Sequence, residues 1–127
     1  MKNDPTPLRF TAHVITGAGR GRQLGVPTLN LDLRDVPDTL DDGIFACWAI
    51  INGVEYPATM HHGARPTFGD TRSCEVHLLD EVLASPPEKT EVETVKFLRG
   101  IEKFASAEAL TTQMREDIRR ARDILMT

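Results

Sequence analysis

Apolar and polar residues alternate along most of the chain, and this alternation predicts a protein built mainly of short β-strands. Between Leu8 and Ile15, apolar residues occupy every second position, which is the period of a strand with one buried face. A nearly continuous apolar run from Gly43 to Ile51 contains β-branched and aromatic residues and is also typical of a strand. The strands predicted in this way cover residues 8–15, 29–33, 43–51, 54–60, 73–80 and 91–99.

The connections between these strands carry residues that favour turns. Asn52-Gly53 follows directly after the apolar run and is the strongest short signal for a β-hairpin. Residues 34–42 are acidic and contain a proline, and residues 81–90 contain two adjacent prolines, so both segments are predicted to be loops. The segment 61–70, which begins with two histidines, is interpreted as an ordered loop.

One helix is predicted, and it lies at the end of the chain, over residues 106–125. Ser106 is a suitable N-cap, and Glu108 in the first turn suits the positive end of the helix dipole. Six short strands and one late helix predict a mainly β protein, a small antiparallel barrel with one C-terminal helix. One apolar stripe at helical spacing is formed by Leu110, Met114, Ile118, Ala121 and Leu125.

Length and charge limit the class of protein further. A chain of 127 residues is sufficient for one domain with a single core. Residues 1–7 are predicted to be a tail or linker, and residues 8–127 a single barrel domain. The net charge of −4 argues against a general nucleic-acid or membrane-surface binder. No apolar run approaches the ~20 residues of a membrane span, and the start shows no secretory signal, so a cytoplasmic location is expected.

Both cysteines, Cys47 and Cys74, lie within apolar, strand-like segments. They are interpreted as free, buried thiols in a reducing compartment. A disulfide or a catalytic thiol is the weaker alternative. The spacing of cysteine and histidine residues does not match a metal site.

The segment between the first two strands is rich in glycine and arginine. Glycine lets backbone N–H groups approach phosphate oxygens closely, and arginine adds charge-assisted hydrogen bonds to an anion. The segment is not a Walker A loop, because no Gly-Lys-Ser/Thr follows, and its spacing does not match the dinucleotide-binding fingerprint. A solvated hairpin loop is the alternative, which composition alone favours. The candidate phosphate-binding residues here are Gly17, Gly19, Arg20, Gly21, Arg22 and Gly25.

A hydroxyl and an amide, Thr28 and Asn30, follow shortly after this glycine-rich segment. Residues two apart in a strand share a face, so the two polar side chains point the same way. Leu29, Leu31 and Leu33 then point the other way, into the core. Hydroxyl and amide oxygens suit Mg²⁺, which takes further ligands from water and phosphate. The alternative is a solvated polar pair, but the position beside the glycine-rich segment favours a phosphate and metal site.

Glu75 lies in the middle of a predicted strand and faces away from the core. Most such glutamates are solvated, but a carboxylate near a phosphate site can accept a proton from an attacking hydroxyl. His77 lies two residues further along on the same face and is a competing base. Arg65 and Thr67 flank a proline, and they either hold an anion or cap a turn.

Taken together, these motifs resemble those of the riboflavin kinase family, in particular the kinase module of bacterial bifunctional riboflavin kinase/FAD synthetases. The family's glycine-rich loop runs into Gly-Phe-Pro-Thr-Ala-Asn, and its later strands and loops carry further motifs in a set order. The matches keep that order over residues 13–120. The matching segments are Gly25-Val26-Pro27-Thr28-Leu29-Asn30, Gly43-Ile44-Phe45-Ala46, His62-Gly63-Ala64-Arg65-Pro66-Thr67-Phe68-Gly69, Glu75-Val76-His77-Leu78-Leu79-Asp80, Leu98-Arg99 and Lys103-Phe104.

The resemblance implies a fold and a reaction. The implied fold is a six-stranded antiparallel Greek-key barrel with a C-terminal α-helix. The implied reaction is phosphoryl transfer from ATP to the ribityl 5′-hydroxyl of riboflavin, which gives FMN and ADP. ATP/ADP and riboflavin/FMN are therefore the expected ligands, neither nucleic acid nor a membrane is an expected partner, and a separate FAD synthetase is a further candidate partner.

The resemblance also implies roles for individual residues. The segment from Gly17 to Gly25 covers the nucleotide phosphates, and Thr28 and Asn30 bind Mg²⁺ or another divalent cation. Glu75 is the general base for the attacking hydroxyl. The flavin-binding residues implied by the matching motifs are Arg65, Thr67 and Arg99.

Two alternatives from other classes remain open. Residues 81–87 differ from the family pattern, which suggests a flavin- or nucleotide-binding module that has lost catalysis. The Gly-Arg-Gly-Arg sequence at residues 19–22 suggests a barrel that binds RNA phosphates. The acidic net charge and the few aromatic residues argue against RNA binding, which a steep loss of affinity with salt would reveal.

Overall fold

The computed structural model describes residues 7–15, 28–65 and 71–126, and within these ranges the chain forms strands, one short 3₁₀ turn and one α-helix. The strands lie where the alternating pattern predicts them, with differences at several ends. The elements are β1 (Arg9–Ile15), β2 (Thr28–Leu31), the 3₁₀ turn (Leu33–Asp35), β3 (Gly43–Ile51), β4 (Val54–Arg65), β5 (Thr71–Leu78), β6 (Lys89–Arg99) and α1 (Ala107–Leu125).

The strands close into an antiparallel barrel in the order β1-β2-β5-β4-β3-β6. Strands β3, β4 and β5 follow one another as a meander, and β6 returns to lie beside β3. This arrangement is a Greek key. Closure pairs the strands on both sides, which removes the free edges of an open sheet. The predicted six-stranded barrel with a C-terminal helix is confirmed.

The barrel interior is filled by side chains from alternate positions of each strand. One buried layer runs laterally through Leu29, Val76, Met60 and Phe45, which are paired across four neighbouring strands. Phe97 on β6 packs edge-on against Phe45, with ring centroids 5.5 Å apart. Because neighbouring residues in a strand face opposite sides, the residues flanking this layer point out of the barrel.

Helix α1 packs on the outside of the barrel. The Oγ atom of Ser106 accepts a hydrogen bond from the backbone N–H of Ala109 at 3.0 Å, so the predicted N-cap is confirmed. Ala121 is buried in a second apolar cluster with Ile44 and Leu98, which lie on the outer faces of β3 and β6. The helix therefore covers one side of the barrel and leaves the faces of β2 and β5 to polar residues.

A largely buried ion pair joins the helix to the last strand. The Arg99 guanidinium donates to the Asp117 carboxylate from Nε at 3.0 Å and from Nη2 at 2.8 Å. The Asp117 side chain is only 5% exposed and that of Arg99 17%. The side-chain amide of Gln113 donates to Asp117 as well, at 3.1 Å. This network fixes the register of α1 against β6.

Several predicted ends of strands differ from the observed ends. The strand predicted at 73–80 is observed at 71–78, and the strand predicted at 91–99 begins at 89. Strand β2 ends at Leu31, and Leu33 is 39% exposed rather than buried in the core. The reason is that the Asp32 side chain accepts a hydrogen bond from the backbone N–H of Arg34 and starts a 3₁₀ turn. Strand β4 continues to Arg65, so the first half of the predicted loop at 61–70 is strand. Residues 66–70 lie outside the described residues.

The interpretation of the two cysteines as free, buried thiols is confirmed. Burial raises the pKa of Cys74 to about 12. Burial also raises the pKa of Cys47, which lies in the barrel core. Both thiols are therefore protonated at neutral pH and are poor nucleophiles.

We expect Gly43→Ala to destabilise the barrel by about 1–3 kcal/mol. Gly43 begins β3 with φ at +150°, and an added Cβ would lie 2.5 Å from Cε1 of Phe97 and 2.8 Å from the carbonyl oxygen of Arg99. Gly100→Ala is the matched control, because an added Cβ there meets no atom within 4 Å. Urea unfolding checks both variants, and equal midpoints for the two would contradict the expected clash.

Candidate functional site

Six polar residues share the outer face of three neighbouring strands. They lie two apart on each strand, so the pleat aims all of them away from the core. We call this set the outer polar face. Its members are Thr28 and Asn30 on β2, Glu75 and His77 on β5, and Thr59 and His61 on β4.

Asn30 and Glu75 lie directly opposite each other on adjacent strands. Directly opposite residues in an antiparallel pair share a face, with Cβ atoms about 4.5–5.5 Å apart. Both side chains are half-buried. The structure thus brings together two residues that the sequence analysis predicted to serve one site, although 44 residues separate them.

A second row lies one step along the same strands. Thr28 is opposite His77, and His77 is opposite Thr59 on its other side. Burial lowers the pKa of His77 below its ordinary value, so its imidazole is neutral at pH 7. A neutral imidazole has one donor and one acceptor nitrogen, and His77 therefore adds no positive charge to the outer polar face.

The oxygen atoms of the outer polar face suit a hard cation. Thr28 offers a hydroxyl, Asn30 an amide oxygen and Glu75 a carboxylate, which are the ligand types that Mg²⁺ prefers. Within residues 7–15, 28–65 and 71–126, no group of three or more His, Cys, Asp or Glu side chains is arranged to hold a metal ion. The donor set therefore fits a Mg²⁺ ion that takes most of its ligands from water and phosphate.

Arg99, predicted to bind flavin, lies at the far end of the same lateral row. The row runs from Glu75 through His61 on β4 and Ile44 on β3 to Arg99 on β6. Three strand spacings, roughly 14 Å, separate Glu75 from Arg99. The Arg99 guanidinium binds Asp117 and lies over the Phe104 ring, 5.6 Å from its centroid. The structure therefore does not bring Arg99 next to Glu75.

The other predicted site residues lie outside the described part of the chain. Strand β4 ends at Arg65, whose side chain is not described. The predicted roles of these residues stay predictions. The predicted site residues outside the described ranges are Gly17, Gly19, Arg20, Gly21, Arg22 and Gly25 in the glycine-rich segment, and Thr67 after β4.

His61, which is predicted to lie in a loop, belongs instead to β4 and to the outer polar face. The signal was present: the alternation from Val54 to Met60 continues for one more step, with His62 buried and His61 facing outward. His62 faces the interior, and its Nδ1 donates to the backbone carbonyl of Asp41 at 3.0 Å. That bond to the segment before β3 holds the end of β4 in the sheet.

Comparison with known proteins assigns a family. A family model described as "Flavokinase: Riboflavin kinase" matches residues 4–125. A bifunctional riboflavin kinase/FMN adenylyltransferase of Pseudomonas fluorescens is 38% identical over 120 residues, which are 91% of this chain and 38% of the relative. An RNA-binding riboflavin kinase of Bacillus subtilis, RibR, is 32% identical over 107 residues, 83% of this chain and 46% of that protein. The chain thus spans less than half the length of these relatives.

Solved structures share the fold. A riboflavin kinase from Trypanosoma brucei superposes with a TM-score of 0.63 and 20% identity, over 97% of this chain and 82% of that one. A chain from Streptococcus pneumoniae, titled a macrolide-efflux protein, superposes with a TM-score of 0.79 and 30% identity, over 92% of this chain and 39% of that one. No helix in the described part of this chain is long and apolar enough to cross a membrane.

Proposed function

Since the chain belongs to the riboflavin kinase family, we propose that it transfers the γ-phosphate of ATP to the 5′-hydroxyl of riboflavin, giving FMN and ADP. The register that sets Asn30 directly opposite Glu75 on the outer polar face carries this proposal. It supports the proposal because it sets a carboxylate directly beside an amide oxygen. In the proposal these groups are the base for the attacking hydroxyl and a ligand for a phosphate-bound cation. Phosphoryl transfer requires mainly this positioning and the neutralisation of charge.

In this proposal Glu75 is the general base. The hydroxyl oxygen of riboflavin forms a bond to the γ-phosphorus while the bond from that phosphorus to the β,γ-bridging oxygen breaks, and ADP leaves. The hydroxyl proton moves to the Glu75 carboxylate. Thr28 and Asn30 would hold Mg²⁺, which would supply positive charge to neutralise the phosphates. His77, which is neutral and lies opposite Thr28, borders the proposed site beside Thr28.

The remaining predicted residues complete the proposed site. The glycine-rich segment from Gly17 to Gly25 covers the nucleotide phosphates, with charge from Arg20 and Arg22. Flavin contacts come from Arg65, Thr67 and Arg99. Arg99 donates to Asp117 from Nε and Nη2 and to the carbonyl oxygen of Gly100 from Nη1, and since a guanidinium has five N–H groups, two remain for a flavin.

The direct test is to mix the purified protein with riboflavin and Mg-ATP and to follow FMN by chromatography. FMN that forms at a rate proportional to the amount of protein supports the kinase. No FMN, with riboflavin fluorescence still quenched, supports the alternative of a binding module that has lost catalysis. If no FMN forms and riboflavin fluorescence is not quenched, only the family and the fold of the chain remain supported.

We expect Thr28→Ala to raise the Mg²⁺ concentration needed for half-maximal activity about 10- to 100-fold. The hydroxyl of Thr28 is the proposed metal ligand, and the variant removes it without changing the buried neighbour Leu29. Thr28→Ser restores a hydroxyl and serves as the control. A Mg²⁺ titration of FMN formation measures the effect, and a wild-type metal dependence in Thr28→Ala would refute the ligand role.

The longer relatives suggest a partner. Their names include FMN adenylyltransferase, which is a second activity of those proteins. We propose that an FAD synthetase activity consumes the FMN. RNA binding, named for RibR, is not expected of this acidic chain, and several exposed arginines already bind carboxylates. RNA affinity that falls steeply with salt would contradict this expectation.

A further inference from the structure

We propose that Asp35 is a positioning residue for Thr28 and Asn30, the cation ligands of the proposed site, an inference that rests on the proposed phosphoryl transfer. Asp35 ends the 3₁₀ turn that follows β2, and β2 carries both of these ligands. The Asp35 carboxylate accepts a hydrogen bond from the backbone N–H of His13 on β1, at 2.9 Å. We call this contact the Asp35–His13 bridge. It ties the end of β2 to the neighbouring strand.

The Asp35–His13 bridge replaces a bond that the ladder between β1 and β2 loses. Continuing the register of these two strands sets His13 opposite Asp32. The backbone N–H of Asp32 donates to the carbonyl oxygen of His13 at 2.9 Å, as an antiparallel ladder requires. The carbonyl oxygen of Asp32, however, accepts from the backbone N–H of Asp35 within the 3₁₀ turn, at 2.9 Å. The Asp35 carboxylate therefore accepts the N–H of His13 in place of that carbonyl.

A second contact joins the same two residues. The Nδ1 atom of the His13 imidazole lies 3.0 Å from the Oδ2 atom of Asp35, the same oxygen that binds the backbone N–H. The backbone hydrogen bond and then the imidazole hold the pKa of Asp35 below its ordinary value. Asp35 is therefore ionised at neutral pH. A charged acceptor forms stronger hydrogen bonds than a neutral carbonyl, so the bridge is a firm substitute for the lost ladder bond.

Strand β2 depends on this bridge because its own pairing with β1 is short. Among the described residues, β2 pairs with β1 at Asn30 and Leu31, and with β5 from Thr28 to Asn30. A strand that loses its partner on one side becomes a sheet edge and can twist about the partner that remains. Twisting of β2 would turn Thr28 and Asn30 away from their register with Glu75 on β5. The Asp35–His13 bridge thus holds the proposed cation ligands beside the proposed base.

The first experiment compares Asp35→Ala with Asp35→Asn, whose amide oxygen still accepts the backbone N–H of His13. Asp35→Ala should raise the Mg²⁺ concentration needed for half-maximal FMN formation about tenfold. The KM for riboflavin should stay within about twofold of wild type. Asp35→Asn should recover most of the shift. Asp38→Ala, which changes an exposed residue of the same segment, is the control and should keep the wild-type Mg²⁺ dependence.

A binding measurement tests the same role without turnover. Calorimetric titration with ADP at several fixed Mg²⁺ concentrations gives the affinity for ADP and its dependence on Mg²⁺. Asp35→Ala should shift this dependence by the same factor as that of FMN formation. Wild-type Mg²⁺ dependence in Asp35→Ala, or an equal shift in Asp35→Asn, would overturn the inference. Asp35→Gln, whose longer side chain misplaces the acceptor, takes the place of Asp35→Ala if that variant does not fold.

The outcome for wild-type protein separates this inference from the proposed function. If wild-type protein forms no FMN, the proposed transfer fails, and the ADP titration alone tests Asp35. Mg²⁺-dependent binding of ADP that is weaker in Asp35→Ala than in Asp35→Asn then supports the positioning role. No effect of Mg²⁺ on ADP binding by wild-type protein would overturn it. A lower urea midpoint in Asp35→Ala with unchanged Mg²⁺ dependence would likewise overturn it, because the bridge then only stabilises the fold.

Discussion

Glu75→Gln should lower kcat for FMN formation by about 10²- to 10⁴-fold while leaving ATP binding nearly unchanged. The amide keeps the size of the side chain and its place between Asn30 and His61, but it does not accept the hydroxyl proton. Steady-state kinetics measure kcat, and calorimetric titration with Mg-ATP measures nucleotide affinity. A selective loss of kcat identifies an interaction made in the transition state.

The control for this variant is Glu55→Gln. Glu55 also faces out of β4, but it lies six residues from His61, roughly 20 Å along the strand. It should retain wild-type kcat. Unchanged FMN production in Glu75→Gln would remove Glu75 from the mechanism, and parallel losses of ATP affinity and kcat would indicate a binding role instead.

Asp117→Ala should lower the free energy of unfolding by about 3–5 kcal/mol. The substitution leaves the Arg99 guanidinium, 17% exposed, without the carboxylate that now accepts its Nε and Nη2 hydrogen bonds. It also removes the acceptor of the Gln113 amide. Urea unfolding followed by circular dichroism gives the free energy.

Glu116→Ala is the matched control, because Glu116 is the adjacent helix residue and also pairs with an arginine. The Glu116 and Arg119 side chains are 45% and 61% exposed, so water and salt screen that pair. The loss of stability in Glu116→Ala should be far smaller. Equal losses in the two variants would show that the Arg99–Asp117 pair behaves as a surface ion pair.

Much of the fold could be predicted locally. The alternation of apolar residues around Phe10, Leu29 and Val76 identifies strands because burial of one strand face follows a period of two. Ser106 identifies the start of the helix because its hydroxyl satisfies a backbone N–H group that the helix leaves without a partner. Each of these signals acts over a few neighbouring residues, so an amino-acid sequence displays it directly.

The predictions that were wrong depend on competition between local and distant partners. Leu33 continues the apolar alternation of β2, but the Asp32 carboxylate captures the backbone N–H of Arg34 and turns the chain away. Residues 61–65 belong to the segment that is predicted to be a loop. Pairing with β5 continues to Arg65 and satisfies their backbone groups instead.

The sequence by itself determined the strands, the capped helix and the types of side chain available for a phosphate site, because spacing and chemistry are local properties. Only the tertiary structure decided which strands are neighbours. Alternation with a period of two shows which face of the sheet a residue occupies. It does not show which strand lies beside it. Closure of the barrel set β2 against β5 and β5 against β4. That pairing placed Glu75 between Asn30 and His61, and it left Arg99 three strands away beside the helix.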